Sequence, residues 1–550
     1  MPIRNGRTAF LELLVDEGIA HLFGNPGTTE LAIMEVAPDF PQLKFVLGLQ
    51  ESVVVGMADG YARASGRPAA ALVHVAPGLG NAMGALYNAK FSSSPLVVVA
   101  GQQEQGHGLL EPLLYEPLVP IAQPLVKWAV EVARVADLPR VVRRAVKVAL
   151  TPPTGPVFVS LPGDVLEQSA ELDLGRSVRV DAKVRPSEEA LAALAERLLA
   201  ARRPVILAGQ ELAAHDAFAE AGELAELVGA AVYGSSVAYG AQFPTAHPAY
   251  CGSLTRNQQQ VQATLQPYDL LVCLGADLLR MSVYSPIEPL PEGLPVVHVS
   301  ERGWELGKNY RTDVAIQANV KETLRALLPR VRARRAPEAA ARLAALKERN
   351  WTAQRAKAAV AALMEAETTP IDPRFLMLRI SEHLPQDAVV VEEALISSLS
   401  LPGFLPIRDP HAFYGLASGG LGFAMPGAIG VSLALPGRPV TAVVGDGSAM
   451  YGIQALWTAA HLELPITYVI ANNRGYRILK ERLVSMRGCD RFVGMDIRSP
   501  AIDYVGLAQG MGVPGRRVTD PNDVVPALRE AAERRVPSLI EVIVADGFGG

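Results

Sequence analysis

Two polar turns, Gly445-Asp446-Gly447-Ser448 and Asn472-Asn473, constrain this chain more than any other feature. Positions 448 to 471 lie between Gly447 and Asn472. Each follows a short apolar segment, Thr441-Ala442-Val443-Val444 in the first case and Ile466-Thr467-Tyr468-Val469-Ile470 in the second. Such β-branched runs predict strands, and Tyr451 to Leu462 predicts a helix between them. A strand-helix-strand crossover puts both turns at the carboxyl edge of a parallel sheet, where such folds bind ligands. There an Asp carboxylate and an Asn amide oxygen are hard donors suited to Mg2+ or Ca2+, unlike the nitrogen and sulfur set preferred by zinc. Glycine allows close backbone approach, and a helix N-terminus favours a diphosphate. The unit reads as a metal-diphosphate anchor; two unrelated surface turns are the competing reading.

At 550 residues the chain exceeds what one core fills, so three or four domains are expected. A net charge of −5 argues against nucleic acid or an anionic membrane as the main partner. The start, Met1-Pro2-Ile3-Arg4-Asn5-Gly6-Arg7, carries no apolar signal core, and no apolar run approaches a bilayer span. Three scattered cysteines, Cys251, Cys273 and Cys489, predict reduced thiols in a cytoplasmic protein.

Strand and helix patterns alternate over residues 1–165. Strands are predicted at His21 to Phe23, Phe45 to Leu47, Ala70 to His74, Leu96 to Ala100 and Val157 to Leu161. Helices are predicted at Thr8 to Glu17, Glu51 to Ala64, Gly80 to Ser92 and Leu138 to Leu150. Leu161 to Arg185 reads as a connector. A second α/β block spans 186–330, an Ala-, Arg- and Glu-rich helical linker 331–368, and a third α/β block 369–550. The fold class is therefore α/β, with three doubly wound parallel-sheet domains.

Outside the anchor, Glu51 opens a helix after the strand-like Phe45 to Gly48. By itself it reads as an N-terminal Glu stabilised by the helix dipole. His74, in Val73-His74-Val75-Ala76-Pro77-Gly78-Leu79-Gly80-Asn81, reads as a histidine at a strand end. His107, in Gln105-Gly106-His107-Gly108, is a loop histidine, either solvated or functional.

The Gly445-Asp446-Gly447 turn with Asn472-Asn473 at this spacing resembles the signature of the thiamine-diphosphate (ThDP) enzymes, and the three-block plan resembles their decarboxylases along essentially the whole chain. The resemblance implies a pyrimidine-binding domain over 1–165, a middle domain over 186–330 and a diphosphate-binding domain over 369–550. It implies ThDP and Mg2+ or Ca2+, with Asp446, Asn473 and the Gly475 carbonyl as metal ligands. Gly445, Gly447 and Ser448, and more loosely Ser397 and Ser398, would then meet the diphosphate. Gly415-Leu416-Ala417-Ser418-Gly419-Gly420-Leu421-Gly422 is similar to the family's pyrimidine-contact loop. There the Gly419 carbonyl would accept from the exocyclic amine, and Leu421, otherwise a core leucine, would prop the cofactor into its bent shape. Glu51 matches the glutamate that activates the aminopyrimidine.

Within the family, Asn25-Pro26-Gly27-Thr28, His74 and Gly101-Gln102-Gln103 most resemble the benzoylformate-decarboxylase branch. That likeness implies Thr28 and His74 on the substrate side, with His74 exchanging protons near neutral pH. The branch carries a second histidine from its middle domain, where this chain has Ser282, so His107 becomes a candidate substitute. Ile478 would give a smaller, apolar pocket. The expected activity is 2-oxo acid decarboxylation with carboligation; the alternative is a ThDP-dependent lyase or carboligase. No flavin loop is evident in the middle domain, so FAD is not expected. Glu51 and Asp446 lie on separate domains, and the family draws them from different subunits, which predicts a homodimer or homotetramer with sites at the interface.

Overall fold

The computed structural model describes residues 2–334 and 338–548. It contains three six-stranded sheets, and within each one every strand pair is parallel. The first sheet runs Lys44–Leu47, His21–Gly24, Ala69–Val73, Leu96–Gln102, Val157–Pro162, Ala129–Glu131. The third runs Phe413–Gly415, Val389–Glu393, Val440–Gly445, Ile466–Asn472, Ser538–Ile543, Gly515–Val518. Counted along their own segments, both follow the same order, 2-1-3-4-6-5. The middle sheet differs, with order 3-2-1-4-5-6. It runs Tyr250–Ser253, Ala231–Gly234, Pro204–Ala208, Leu270–Leu274, Val296–Ser300, Val314–Gln317. In the first and third sheets the order reverses between local strands 1 and 3. Their carboxyl ends, at Gly24 and Val73 and at Glu393 and Gly445, flank the crevice where doubly wound sheets bind ligands.

The Glu51–Ser65 helix starts where it does because the Gln50 side chain accepts from Ser52 N, at 2.6 Å, and Val53 N. Gly66, left-handed at φ 65°, ends it. This helix packs on Ala424–Ala434 of the third domain, the two touching at Gly60 and Gly427. Phe423, Met425 and Ile429 are fully or almost fully buried there, each worth about 1.5–3 kcal/mol on removal from water.

Three predicted elements differ. The helix expected from Gly80 begins at Val75, directly after His74, because Val75 takes φ +39° and turns the chain at once. The helix expected over Tyr451 to Leu462 is instead a short turn, Asp446–Ala449, and a helix, Ala455–His461. Gly452 lies hard against Pro426 between them, and the backbone bonds of that stretch span three residues instead of four. The connector after Leu161 holds the short helix Gly163–Glu167 and a strand, Ser169–Glu171, that pairs antiparallel with Ile3–Asn5. Of the predicted linker, residues 335–337 lie outside the described residues; Ala339–Ala344 and Trp351–Leu363 are helical.

Candidate active site

Glu51 is the first residue of its helix and only 6% exposed. Asn25 Nδ2 donates to its Oε1 at 3.2 Å, and Asn81 Nδ2 donates to its Oε2 at 3.0 Å. Asn25 follows the strand His21–Gly24, and Asn81 comes from the helix Val75–Phe91. The carboxyl is therefore fixed by two neutral amides, with no cation on it among the described residues, and it retains lone pairs for a further donor.

His74 caps the Val75–Phe91 helix at the end of the strand Ala69–Val73. Its Nδ1 lies 2.8 Å from Glu30 Oε2, and Glu30 is completely buried. Glu30 also accepts from Gly27 N, Gly101 N and the Thr29 hydroxyl, each at 2.8 Å. With a carboxylate as acceptor, Nδ1 carries the imidazole proton and Nε2 is left free. The ring sits against Gly27, where a Cβ would come within 2.1 Å of Nδ1. Gly27 is thus the space the histidine occupies. Thr28 is exposed beside it, and the Thr29 hydroxyl is 3.3 Å from His74 Nδ1. His107 is exposed, and its ring makes no hydrogen bond or ion pair among the described residues.

In the third domain, Asp446 and Asn473 converge. Gly475 N donates to Asp446 Oδ2 at 3.0 Å and to Asn473 Oδ1 at 3.1 Å. Asp446 is 3% exposed, and burial pushes its carboxyl up to about 6. No Lys or Arg pairs with it among the described residues. A carboxylate withdrawn from water without a cationic partner, beside an amide oxygen, fits a hard divalent cation. Tyr504 holds the turn by donating to Asp446 O at 2.8 Å. Asn472 has a structural part, donating to Glu541, whose other oxygen pairs with Arg517. Among the described residues no cluster of three or more His, Cys, Asp or Glu could hold a metal.

Gly445 ends its strand, and Ser448 is buried with a hydroxyl that makes no hydrogen bond to protein among the described residues. At Gly447 a Cβ would meet the Tyr476 ring at 2.7 Å, so the glycine lets that ring pack against the turn. Ser397 joins the anchor, its hydroxyl 3.4 Å from Asn473 Nδ2. Ser398 makes no such contact: its hydroxyl donates to Glu392, a half-buried carboxyl whose pKa is raised by desolvation. Gly419 is exposed and left-handed at φ 83°. Leu421 is half-buried and stands outside the hydrophobic cores. Ile478 is half-buried near the start of the helix Arg477–Arg487. In the middle domain Ser282 is exposed.

Sequence reasoning missed Glu30, Asn81 and Glu393. Glu30, three residues after Gly27, has capping-box spacing, which is a readable signal. Glu393 accepts from Gly422 N at 2.6 Å and Ala424 N at 2.7 Å, so it ties down the end of the loop that carries Gly419 and Leu421. Burial raises it to about 7. A carboxyl at the end of an apolar strand carries no such signal in sequence. Three of the strand-end turns also contain a non-glycine residue at positive φ: Val75 at 39°, Leu395 at 50° and Arg474 at 58°. Such strain gathers at functional turns.

A carboxylate at one switch point and a hard-oxygen anchor at the other, on two sheets of identical order, define a diphosphate-cofactor enzyme of the α/β class. Models of the thiamine pyrophosphate enzyme N-terminal, central and C-terminal domains match residues 4–111, 191–327 and 399–542. Benzoylformate decarboxylase of Pseudomonas aeruginosa is 35% identical over 97% of this chain and 98% of its own length. Glyoxylate carboligase of Escherichia coli O157:H7 is 28% identical over 98% of this chain and 92% of its own. Among solved structures, the thiamine diphosphate-dependent 4-hydroxybenzoylformate decarboxylase of Rhodococcus jostii RHA1 superimposes with TM-score 0.87 at 33% identity, covering 99% of this chain and 100% of that one. This chain belongs to the thiamine pyrophosphate enzyme family. It is a ThDP enzyme of the 2-oxo acid decarboxylase and carboligase type. No described helix is long and apolar enough to cross a membrane.

Proposed function

We propose that the main activity is decarboxylation of a small 2-oxo acid to the corresponding aldehyde, with carboligation to a second aldehyde as a further outcome. The observation that carries this reading is His74, locked by buried Glu30 so that Nε2 is free at the strand end. Bound ThDP supplies the carbon nucleophile and the electron sink for loss of CO2. In this reading Glu51 holds a proton at the pyrimidine edge, and Asn25 and Asn81 keep its carboxyl aimed there. Thr28 binds the substrate carboxylate, and His74 Nε2 delivers the proton that completes the aldehyde. Asp446, Asn473 and the Gly475 carbonyl would hold Mg2+, and Ser448 and Ser397 would meet the phosphate oxygens. Leu421 would prop the bound cofactor, and Ile478 lines an apolar substrate pocket.

Residues 1–165, 186–330 and 369–550 act as pyrimidine-binding, middle and diphosphate-binding domains. The minimum unit is a homodimer, each site combining Glu51 of one protomer with Asp446 of the other; a homotetramer pairs two such dimers. Support comes from the Glu51 carboxylate, whose described partners lie in its own domain alone, and from exposed Leu49 two residues before it. The benzoylformate decarboxylase relative makes an aryl 2-oxo acid the first substrate to try.

A second reading, a carboligase or lyase as main activity, is favoured by one observation: Ser282, exposed, stands where a second proton-transferring histidine is expected. The deciding experiment measures CO2 and free aldehyde from the holoenzyme, with ThDP and Mg2+, on benzoylformate and on aliphatic 2-oxo acids. Stoichiometric CO2 and free aldehyde support the decarboxylase. Absence of CO2 with ThDP bound supports the lyase, and CO2 with only ligated product supports the carboligase.

A further inference from the structure

The Glu51–Ser65 and Val75–Phe91 helices lie side by side and are bridged twice by a carboxylate and an amide. The first bridge is Asn81 Nδ2 to Glu51, at 3.0 Å. About two helical turns further on comes the second, Asn88 Nδ2 to Asp59 Oδ2, at 2.8 Å. Asp59 and Asn88 are 1% and 2% exposed. Asp59 Oδ1 is filled by the hydroxyls of Ser92, at 3.0 Å, and Ser94. No cationic side chain pairs with Asp59 among the described residues.

The free end of Asn88 leaves its own domain. Its Oδ1 accepts from Ala417 N at 3.0 Å, Ser418 N at 3.2 Å and the Ser418 hydroxyl at 3.3 Å. These residues open the Gly419–Leu421 loop. The same loop is gripped at its start by Arg63, which donates to Gly415 O at 3.1 Å, and at its end by Glu393. Gly419 itself has open space around it, and within the segment Gly420 N donates to the Ser418 hydroxyl at 3.0 Å.

We propose that Asn88, oriented by Asp59, is a positioning residue that sets the Ala417–Leu421 loop for the pyrimidine end of the cofactor. This rests on the reading of that loop as the pyrimidine contact. One amide serves both ends: its NH2 fixes its rotation against a buried carboxylate, and its oxygen then has a single direction in which to accept. Loss of Asn88 leaves two backbone N–H groups and Asp59 short of a buried partner.

The test is binding to the full-length protein by calorimetry, with Mg2+, of ThDP and separately of inorganic pyrophosphate. Pyrophosphate reports the metal anchor without the pyrimidine. In Asn88→Ala and Asn88→Asp the dissociation constant for ThDP should rise about ten-fold or more, since two buried hydrogen bonds are lost or faced with like charge. Pyrophosphate binding should stay within about two-fold of wild type, because the anchor lies outside the altered contact. The exchange Asp59→Asn with Asn88→Asp restores every donor and acceptor, with Asn at 59 donating to Asp at 88, and should return ThDP affinity to within about three-fold. Unchanged ThDP affinity in Asn88→Ala overturns the inference. So does equal loss of pyrophosphate binding, which would mark a general structural role, and so does failure of a folded exchange variant to rescue. A wild-type protein that binds pyrophosphate but not ThDP overturns the cofactor reading, and this inference with it.

Discussion

His74 Nδ1 and Glu30 Oε2 are 2.8 Å apart, with Glu30 shielded from all solvent. The carboxylate serves four donors, two of them from the segment that follows the strand His21–Gly24 and one, Gly101 N, from the end of the strand Leu96–Gln102. One buried anion thereby assembles both strand ends around the histidine. Glu30→Gln turns one acceptor oxygen into a donor facing an N–H, and it releases the ring. We expect kcat to fall about 10²-fold, as for loss of an oriented proton donor, with ThDP affinity within about three-fold of wild type. Steady-state kinetics and ThDP titration check it; equal losses in both would refute the positioning role. Gly27→Ala should act in the same direction, because its Cβ would stand where the imidazole now lies.

Glu51→Gln keeps the shape and one of the two amide contacts, turns its other oxygen into an NH2 facing an amide donor, and removes the ionisable proton. Turnover should fall by about 10²–10⁴, the usual span for a general acid-base group. ThDP should remain bound. Rapid turnover by this variant would remove Glu51 from the chemistry.

Metal removal separates the two half-sites. Chelation with EDTA should release ThDP, because the diphosphate would lose the cation that Asp446 and Asn473 hold, and Mg2+ or Ca2+ should restore it. Asp446→Ala should mimic chelation permanently. Retention of ThDP after complete demetallation would refute the anchor.

Glu393 gives a pH dependence with a definite sign. Burial raises its carboxyl from 4.5 to about 7. Ionised, it accepts from both Gly422 N and Ala424 N; protonated, one oxygen becomes a donor facing an N–H. ThDP affinity should therefore weaken as pH falls from about 8 to about 6, centred near the raised value. Stability moves the other way. The folded state holds this proton more tightly than the unfolded chain, so the contribution is full below 4.5 and is lost as pH rises through about 7. Glu393→Gln fixes the neutral form and should flatten both profiles. Affinity titrations and thermal melts across this range check it, and a variant with the wild-type slope would sink the assignment.

Much of the anchor was legible in the linear chain because its parts are local: one crossover carries Asp446, Asn473 and Gly475, and a strand-turn-helix pattern is a short-range property. The doubly wound class was legible for the same reason. Glu51, His74 and Gly27 were visible through motif likeness, but their electrostatic settings were not. Glu30, Asn81, Asn88 and Glu393 act on residues up to 330 positions away, and such partners are chosen by packing after the strands have been ordered. Ser398 shows the converse: read from its neighbours it faced a phosphate, yet in the fold its hydroxyl donates to the half-buried Glu392. Sequence alone determined which hard oxygen donors and proton carriers the chain possesses, since composition and local periodicity suffice for that. Tertiary structure decided which of them are aimed, because a buried carboxylate or amide must find its donors wherever the fold brings them, and that requirement sets direction.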